Sequence, residues 1–173
     1  MGNLRDEIKQ ERAFQSVEEQ ALLNLIRTAD CLDRAMERMI RPFGVTSTQY
    51  NVLRILRGAH PRGLTCSAIG DRMITAEPDV TRLLSRLRNL KLVKQHRDSD
   101  DRRVLWTQIS PQGLKLLGEM DPMIEKGPIE LLGHLQQEDL ARLTKLLEAA
   151  RKACDRGTAQ PTCDGKNEIA GGS

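Results

Sequence analysis

The chain has 173 residues, 39% of them hydrophobic and 29% charged, which suits one folded domain with a real core plus tails and excludes a disordered chain. Aromatic residues make up only 2%, too few for the stacking platforms of single-strand binders. No apolar run approaches the roughly 20 residues needed to cross a bilayer, so no membrane partner is expected and the chain reads as cytoplasmic.

The net charge of +3 is unevenly spread. Arg62 to Arg97 holds eight basic and three acidic residues, a local net of +5, while Met1–Arg41 and Pro111–Cys154 are each net −1. A basic middle between near-neutral ends is an electrostatic footprint for a polyanion. Cys31, Cys66, Cys154 and Cys163 are widely spread with no Cys-x-x-Cys pair, which argues against a disulfide framework or a structural zinc site.

Residues 1–16 read as an arm, helical or mobile. From Val17 a long helix begins, with Leu22, Leu25, Ile26, Ala29, Leu32, Met36, Met39 and Ile40 at three- and four-residue steps; Pro42 and Gly44 end it. So wide a stripe suits packing against another helix, including one from a second chain. Thr46 and Gln49 match a capping box, and Tyr50, Leu53, Ile55 and Leu56 supply the buried side of the helix that follows. Gly58, Pro61 and Gly63 break it. Thr65 is placed to cap a short helix, Cys66 to Met73, with Ile69 and Met73 facing inward. Ile74 to Glu77 is a turn.

Pro78 then sits where proline is best tolerated, at the first position of a helix running to about Leu90. At 100° per residue, Val80, Leu83, Leu84 and Leu87 share one face. Arg82, Ser85 and Asn89 fall on the opposite face, flanked by Thr81 and Arg86. An amphipathic surface helix has a polar outer face in any case, so the neighbours decide its meaning. A short helix, a tight turn and a helix with an exposed polar face is the order of a helix-turn-helix. Leu92 to Arg97 follows as a strand, Asp98 to Arg102 as a turn, and Arg103 to Ile109 as a returning strand. A helix-turn-helix followed at once by a β-hairpin is a winged helix.

Ser110 and Pro111 open a further helix with Leu114, Leu117, Met120, Met123 and Ile124 as its stripe. Pro122 should kink it and Gly127-Pro128 should interrupt it. The last helix, about Gln136 to Cys154, carries Leu140, Leu143, Leu146, Leu147 and Ala150. Residues 155–173 are small, polar and Gly-rich and read as a disordered tail. The fold class is mainly α (α+β): one domain over 17–154, with a winged helix at 45–110 between helices at 17–41 and 111–154.

Residues 64–114 resemble the MarR family of bacterial winged-helix transcription regulators. The family signature Asp-x-Arg, five residues, Leu-Thr is met by Asp101-Arg102-Arg103 and Ile109-Ser110, the last two being conservative departures. Ile69 to Met73 and Pro78 to Leu87 match the family's helix pair, Leu92-Val93 the start of the wing, and Gln112 to Leu114 the next helix. The resemblance implies a homodimer joined by helices from both chain ends, binding a pseudo-palindromic duplex as a repressor and released by a small-molecule effector. It implies action at the bacterial nucleoid, no cofactor and no enzymatic activity.

Within that resemblance Arg82 and Arg86 take phosphate or guanine contacts. Thr81 and Ser85 serve as small hydroxyl donors, and Asn89 lies late on the same face. Arg103 carries the family's wing arginine, expected in the minor groove, with Arg97 and Arg102 as further contacts. Asp101 would orient the wing arginines, since phosphate would repel it. An effector pocket lined by Met36, Met39, Phe43 and Tyr50 is one reading of those residues; plain core is the other. Cys31 or Cys66 could serve an oxidation-sensing regulator, but such relatives pair a cysteine near the N-terminus with tyrosines, and this chain has only Tyr50. His60, His96 and His134 stand singly, which gives a metal site no support. No Gly-rich phosphate loop or hydrolase motif points to an enzyme. A winged-helix protein-interaction module without DNA is the remaining alternative, for which apolar residues rather than Arg82 and Arg86 would be expected on the outer face.

Overall fold

The computed structural model describes residues 3–157. It is mostly helical, with a small antiparallel sheet. The helices are α1 (Leu4–Glu7), α2 (Val17–Ile40), α3 (Ser47–Gly58), α4 (Cys66–Gly70), α5 (Val80–Asn89), α6 (Pro111–Leu132) and α7 (Gln137–Gly157). The strands are β1 (Leu64–Thr65), β2 (Val93–Arg97) and β3 (Leu105–Ile109), in the order β1-β3-β2. Two units are distinguished, one ending at Leu131 and one beginning at Leu132 that contains α7. Residues 158–173, most of the segment read as a tail, lie outside the described residues. Among the described residues no helix is long and apolar enough to cross a membrane.

Local chemistry sets the element starts. Ser16 caps α2 through Glu19 N–H, and the chain leaves α2 through a 3-10 turn, Arg41–Phe43, ending at Gly44. The capping box of α3 is complete: Gln49 N–H donates to Thr46 Oγ1 at 3.2 Å and Thr46 N–H to Gln49 Oε1 at 3.0 Å. Ser110 Oγ accepts from Gly113 N–H at 3.0 Å and donates to the Lys91 carbonyl at 2.7 Å, so one hydroxyl caps α6 and ties it to the start of the wing.

One core is shared by α3, α4, α5, α6 and the hairpin. Leu53 and Leu56 of α3, Ile69 of α4, Leu84 and Leu87 of α5, Val93 and Ile109 of the hairpin, and Leu117 and Met120 of α6 form one buried cluster. Along α2 only Ala35 and Ile40 are buried, while Val17, Leu22, Leu25 and Ile26 remain exposed.

Four expectations are corrected. The short helix ends at Gly70 rather than Met73, because Asp71, Arg72 and Met73 close successive turns onto Ser67, Ile69 and Gly70 carbonyls. The recognition helix begins at Val80, and Pro78 precedes its cap: Asp79 takes that place, its carboxylate accepting from Arg82 N–H at 2.8 Å. The returning strand starts at Leu105, since Arg103 is held in the wing turn by Asp101. Finally, α6 runs without interruption through Gly127-Pro128, with Pro122 also inside it. Gly127 is buried there, and a Cβ on it would lie 3.2 Å from Met39 Sδ. Close packing on α2 explains the glycine, and burial of Leu117, Met120 and Gly127 along the same helix offsets the local cost of its prolines, about 3 kcal/mol each.

Candidate nucleic-acid interface

The recognition helix is mounted by its apolar side. Leu83, Leu84 and Leu87 are buried and Val80 packs against the core, so α5 can present only its other side to solvent. On that side Thr81, Arg82, Arg86 and Asn89 are exposed and Ser85 is half-buried. The Thr81 hydroxyl lies 3.6 Å from Cys66 Sγ, at the junction of α4 and α5. Arg88 reaches Gln95 Oε1 of β2 at 3.4 Å, and Gln95 Nε2 in turn donates to Thr107 Oγ1 at 3.2 Å.

The wing is built from a five-pair ladder, Val93↔Ile109 through Arg97↔Leu105, closed by the turn from Asp98 to Val104. Asp98 organises that turn. Its Oδ1 accepts from the backbone N–H groups of Asp100 (2.9 Å) and Asp101 (3.1 Å), and its Oδ2 accepts from Trp106 Nε1 at 2.8 Å. The Asp101 N–H, the Trp106 indole and the Asp100 N–H, in that order of strength, hold the Asp98 carboxyl below its ordinary value. Asp101 works one step further along: its Oδ1 accepts from Arg103 N–H at 2.9 Å and lies 3.5 Å from Arg103 Nε. The Arg103 side chain is 94% exposed. Arg97 turns into the wing and donates to the Arg102 carbonyl at 2.5 Å, and Arg102 itself is exposed.

Arranged this way, α5 and the wing turn are the two elements of a winged helix that carry exposed arginines at their outer edges. The fold and the sequence have known counterparts. A MarR transcription factor from Planctomyces limnophilus, known as a crystal structure, is 36% identical, with the match covering 79% of this chain and 99% of that one at a TM-score of 0.61. The chain belongs to the MarR family. The family's own sequence profile (MarR family) matches residues 43–104, the span from the end of α2 to the wing turn. The HTH-type transcriptional regulator MhqR of Bacillus subtilis is 26% identical over 124 residues, 72% of this chain and 84% of MhqR. The PcaV transcriptional regulator of Streptomyces coelicolor, solved in complex with its natural ligand, is 25% identical with a TM-score of 0.63, over 73% of this chain and 91% of PcaV. As a MarR-family member the chain is a DNA-binding transcription regulator with a winged helix-turn-helix.

The remaining residues singled out from the sequence fall elsewhere in this MarR fold. Tyr50 is buried in the core, and Met36 and Phe43 pack against it. Burial, the largest effect, raises the Tyr50 phenol above its ordinary value; the Arg54 and Arg57 guanidiniums oppose it. Met39 covers Gly127. Cys31 is exposed on α2, 3.7 Å from Arg34 Nη2, and among the described residues Cys31, Cys66 and Cys154 are free thiols.

Three features escape a reading of the sequence. β1 is one; its two residues pair with Thr107 and Trp106, too short a run to show alternation. The Asp98 anchor is another, although an Asp opening a polar turn is the usual residue for accepting a bond from the N–H two residues on. The third is the Arg57–Asp121 pair: Nη1 donates to both carboxylate oxygens at 2.8 Å, joining α3 to α6 across 64 residues of sequence.

Proposed function

We propose that the protein is a homodimeric repressor that binds a pseudo-palindromic operator and leaves it on binding a small ligand. The observation that carries this reading is the two-sidedness of α5: buried leucines fix the helix, and Arg82, Arg86, Thr81 and Asn89 stand free beside it. Arg82 and Arg86 reach base edges or phosphates, Thr81 and Ser85 add hydroxyl contacts, and Asn89 closes the end of the face. Arg103 enters the neighbouring minor groove, with Arg102 beside it, Arg97 bracing the turn and Asp101 aiming Arg103.

Dimerisation is supported by apolar surface left uncovered among the described residues. Val17, Leu22 and Ile26 of α2 are 78%, 57% and 58% exposed, and Leu146 of α7 is 60% exposed. Stripes of this kind on long helices are expected to pack against a second copy. Two recognition helices related by a two-fold axis then read half-sites about one DNA turn apart. Release by a ligand is supported by likeness to PcaV, and Met36 and Met39 of α2, Phe43 of the turn after it and Tyr50 of α3 are the residues on which an effector would act.

Selection of duplexes from a random pool, followed by titration of the winner at several salt concentrations, tests the reading. A two-fold-symmetric site bound by two chains is expected, with log K falling linearly against log salt. Arg82→Ala should cost about 1–3 kcal/mol on that site and much less on random DNA if it contacts a base. A single half-site bound by one chain, or affinity indifferent to salt, defeats the proposal.

A further inference from the structure

We infer that the winged helix carries a ligand site of its own: a groove between α3, β1 and α4 that takes a small organic dianion bearing an aromatic ring, the chemistry of an aryl phosphate. The groove has a volume of 710 Å³, within the range of small-molecule sites. Among the described residues Arg54, Arg62 and Arg72 all line it, and no acidic residue does. Among the described residues none of these three arginines forms an ion pair, whereas Arg57, one turn beyond Arg54 on the same helix, is pinned to Asp121. Three guanidiniums around one concavity repel one another until an anion enters, and their planar forks match phosphate oxygens. Between them the wall is apolar: Ile55 and Ala59 on α3, and the Trp106 ring from β3, with Arg62 Cζ 6.0 Å from the ring centroid. Inorganic phosphate would leave that wall unused, and a neutral ring would leave the charges unanswered. Only a ligand with both parts satisfies the groove.

The site is also wired to the wing. Trp106, which closes the groove on the sheet side, donates its indole N–H to Asp98 Oδ2; Asp98 holds the N–H of Asp101, and Asp101 holds Arg103. A ligand that draws Arg62 off the indole or presses on the ring therefore acts on the carboxylate that shapes the wing turn. This coupling rests on the DNA-binding reading of the wing; the site itself does not.

The chain has a single tryptophan, so one indole N–H resonance reports on the groove and on the Asp98 bond together. The experiment titrates phenyl phosphate into the full-length protein, with inorganic phosphate and phenol at matched ionic strength. A saturable shift is expected with phenyl phosphate at a Kd at least roughly tenfold below that of either control. Arg62→Gln combined with Arg72→Gln should raise that Kd by roughly tenfold or more while thermal melting is unchanged. An unresponsive indole overturns the site, as does an equal response to inorganic phosphate (an adventitious ion only) or an unchanged Kd in the double variant. A second arm adds phenyl phosphate to the DNA complex. Weakened binding in the natural protein but not in the double variant supports the coupling; no change overturns the coupling and leaves the site standing. A double variant that loses DNA affinity and salt dependence without any ligand makes the arginines contacts to DNA phosphates and overturns the small-anion reading. Failure to bind any duplex would count against the regulator reading alone, since the indole titration needs no DNA.

Discussion

The recognition helix and the wing turn present the same kind of side chain, an exposed arginine, and are held in place by opposite means. α5 rests on Leu83, Leu84 and Leu87, buried in a core it shares with α3, α4 and α6. From Asp98 to Val104 no residue of the wing turn is buried, and the turn keeps its shape through two carboxylates, Asp98 and Asp101, that gather backbone N–H groups, an indole and a guanidinium. Apolar burial is indifferent to protonation, so α5 should hold its position wherever the protein is folded. The wing turn is held by carboxylate hydrogen bonds at the surface, so it should be able to change shape while the fold persists. One half of the proposed DNA surface would then be a fixture and the other an adjustable part.

The largest effect should come from the fixture. Leu87 is fully buried, and Leu87→Ala removes its contacts and leaves a cavity, a loss of about 2–5 kcal/mol in a denaturant melt. DNA affinity should fall only as far as the folded fraction falls. A loss under about 1 kcal/mol, or affinity lost from a fully folded variant, would break the contrast by showing that α5 is not set by the core.

A smaller effect tests how the helix begins. The Asp79 carboxylate accepts from Arg82 N–H at 2.8 Å, one turn from the arginines of the outer face. Asp79→Ala should cost about 1 kcal/mol, and Asp79→Asn should recover most of it, because an amide oxygen can make the same bond. Equal losses in the two variants would assign the effect to the charge at the helix N-terminus rather than to the cap.

Legibility in the sequence follows the same division. The faces of α5, the capping box of α3 and the Ser110 cap were readable because helical period and cap chemistry are local. The two strands of the wing were readable from Val93 in one and Leu105 and Trp106 in the other, on either side of a polar turn. What escaped depends on distant partners. Nothing in Gly127-Pro128 reveals that Met39 lies over the glycine, so a local breaker looked like a helix end. Gly63 is similar: its φ of +79° and a position where a Cβ would fall 2.5 Å from the Thr107 carbonyl belong to the pairing of β1 with β3, which two residues cannot announce. Within the interface, the residue types of α5 and the wing could be read off, but the anchor beneath them could not. Asp98 looked like one more turn residue until its two oxygens were seen to serve three donors.

The finest test uses pH on that anchor. The Asp98 carboxyl lies below its ordinary value of 3.8, chiefly through the Asp101 N–H, then the Trp106 indole and the Asp100 N–H, with the smallest pull from His96. A depressed value means that the folded turn favours the ionised form. Its contribution to the turn is therefore complete above the ordinary value and is lost as pH falls through the lower, folded one. The Trp106 indole N–H resonance should show no acid step from Asp98 between neutral pH and about 4, and should move only below that, when protonation weakens its acceptor. Asp98→Asn should erase this step while leaving the melt of the core unchanged, because Leu83, Leu84 and Leu87 do not touch the charge. A step centred at or above the ordinary value would mean that the three donors do not hold the carboxylate. The wing would then need another source of order, and the contrast with α5 would have to be redrawn around the β2–β3 ladder instead of its turn.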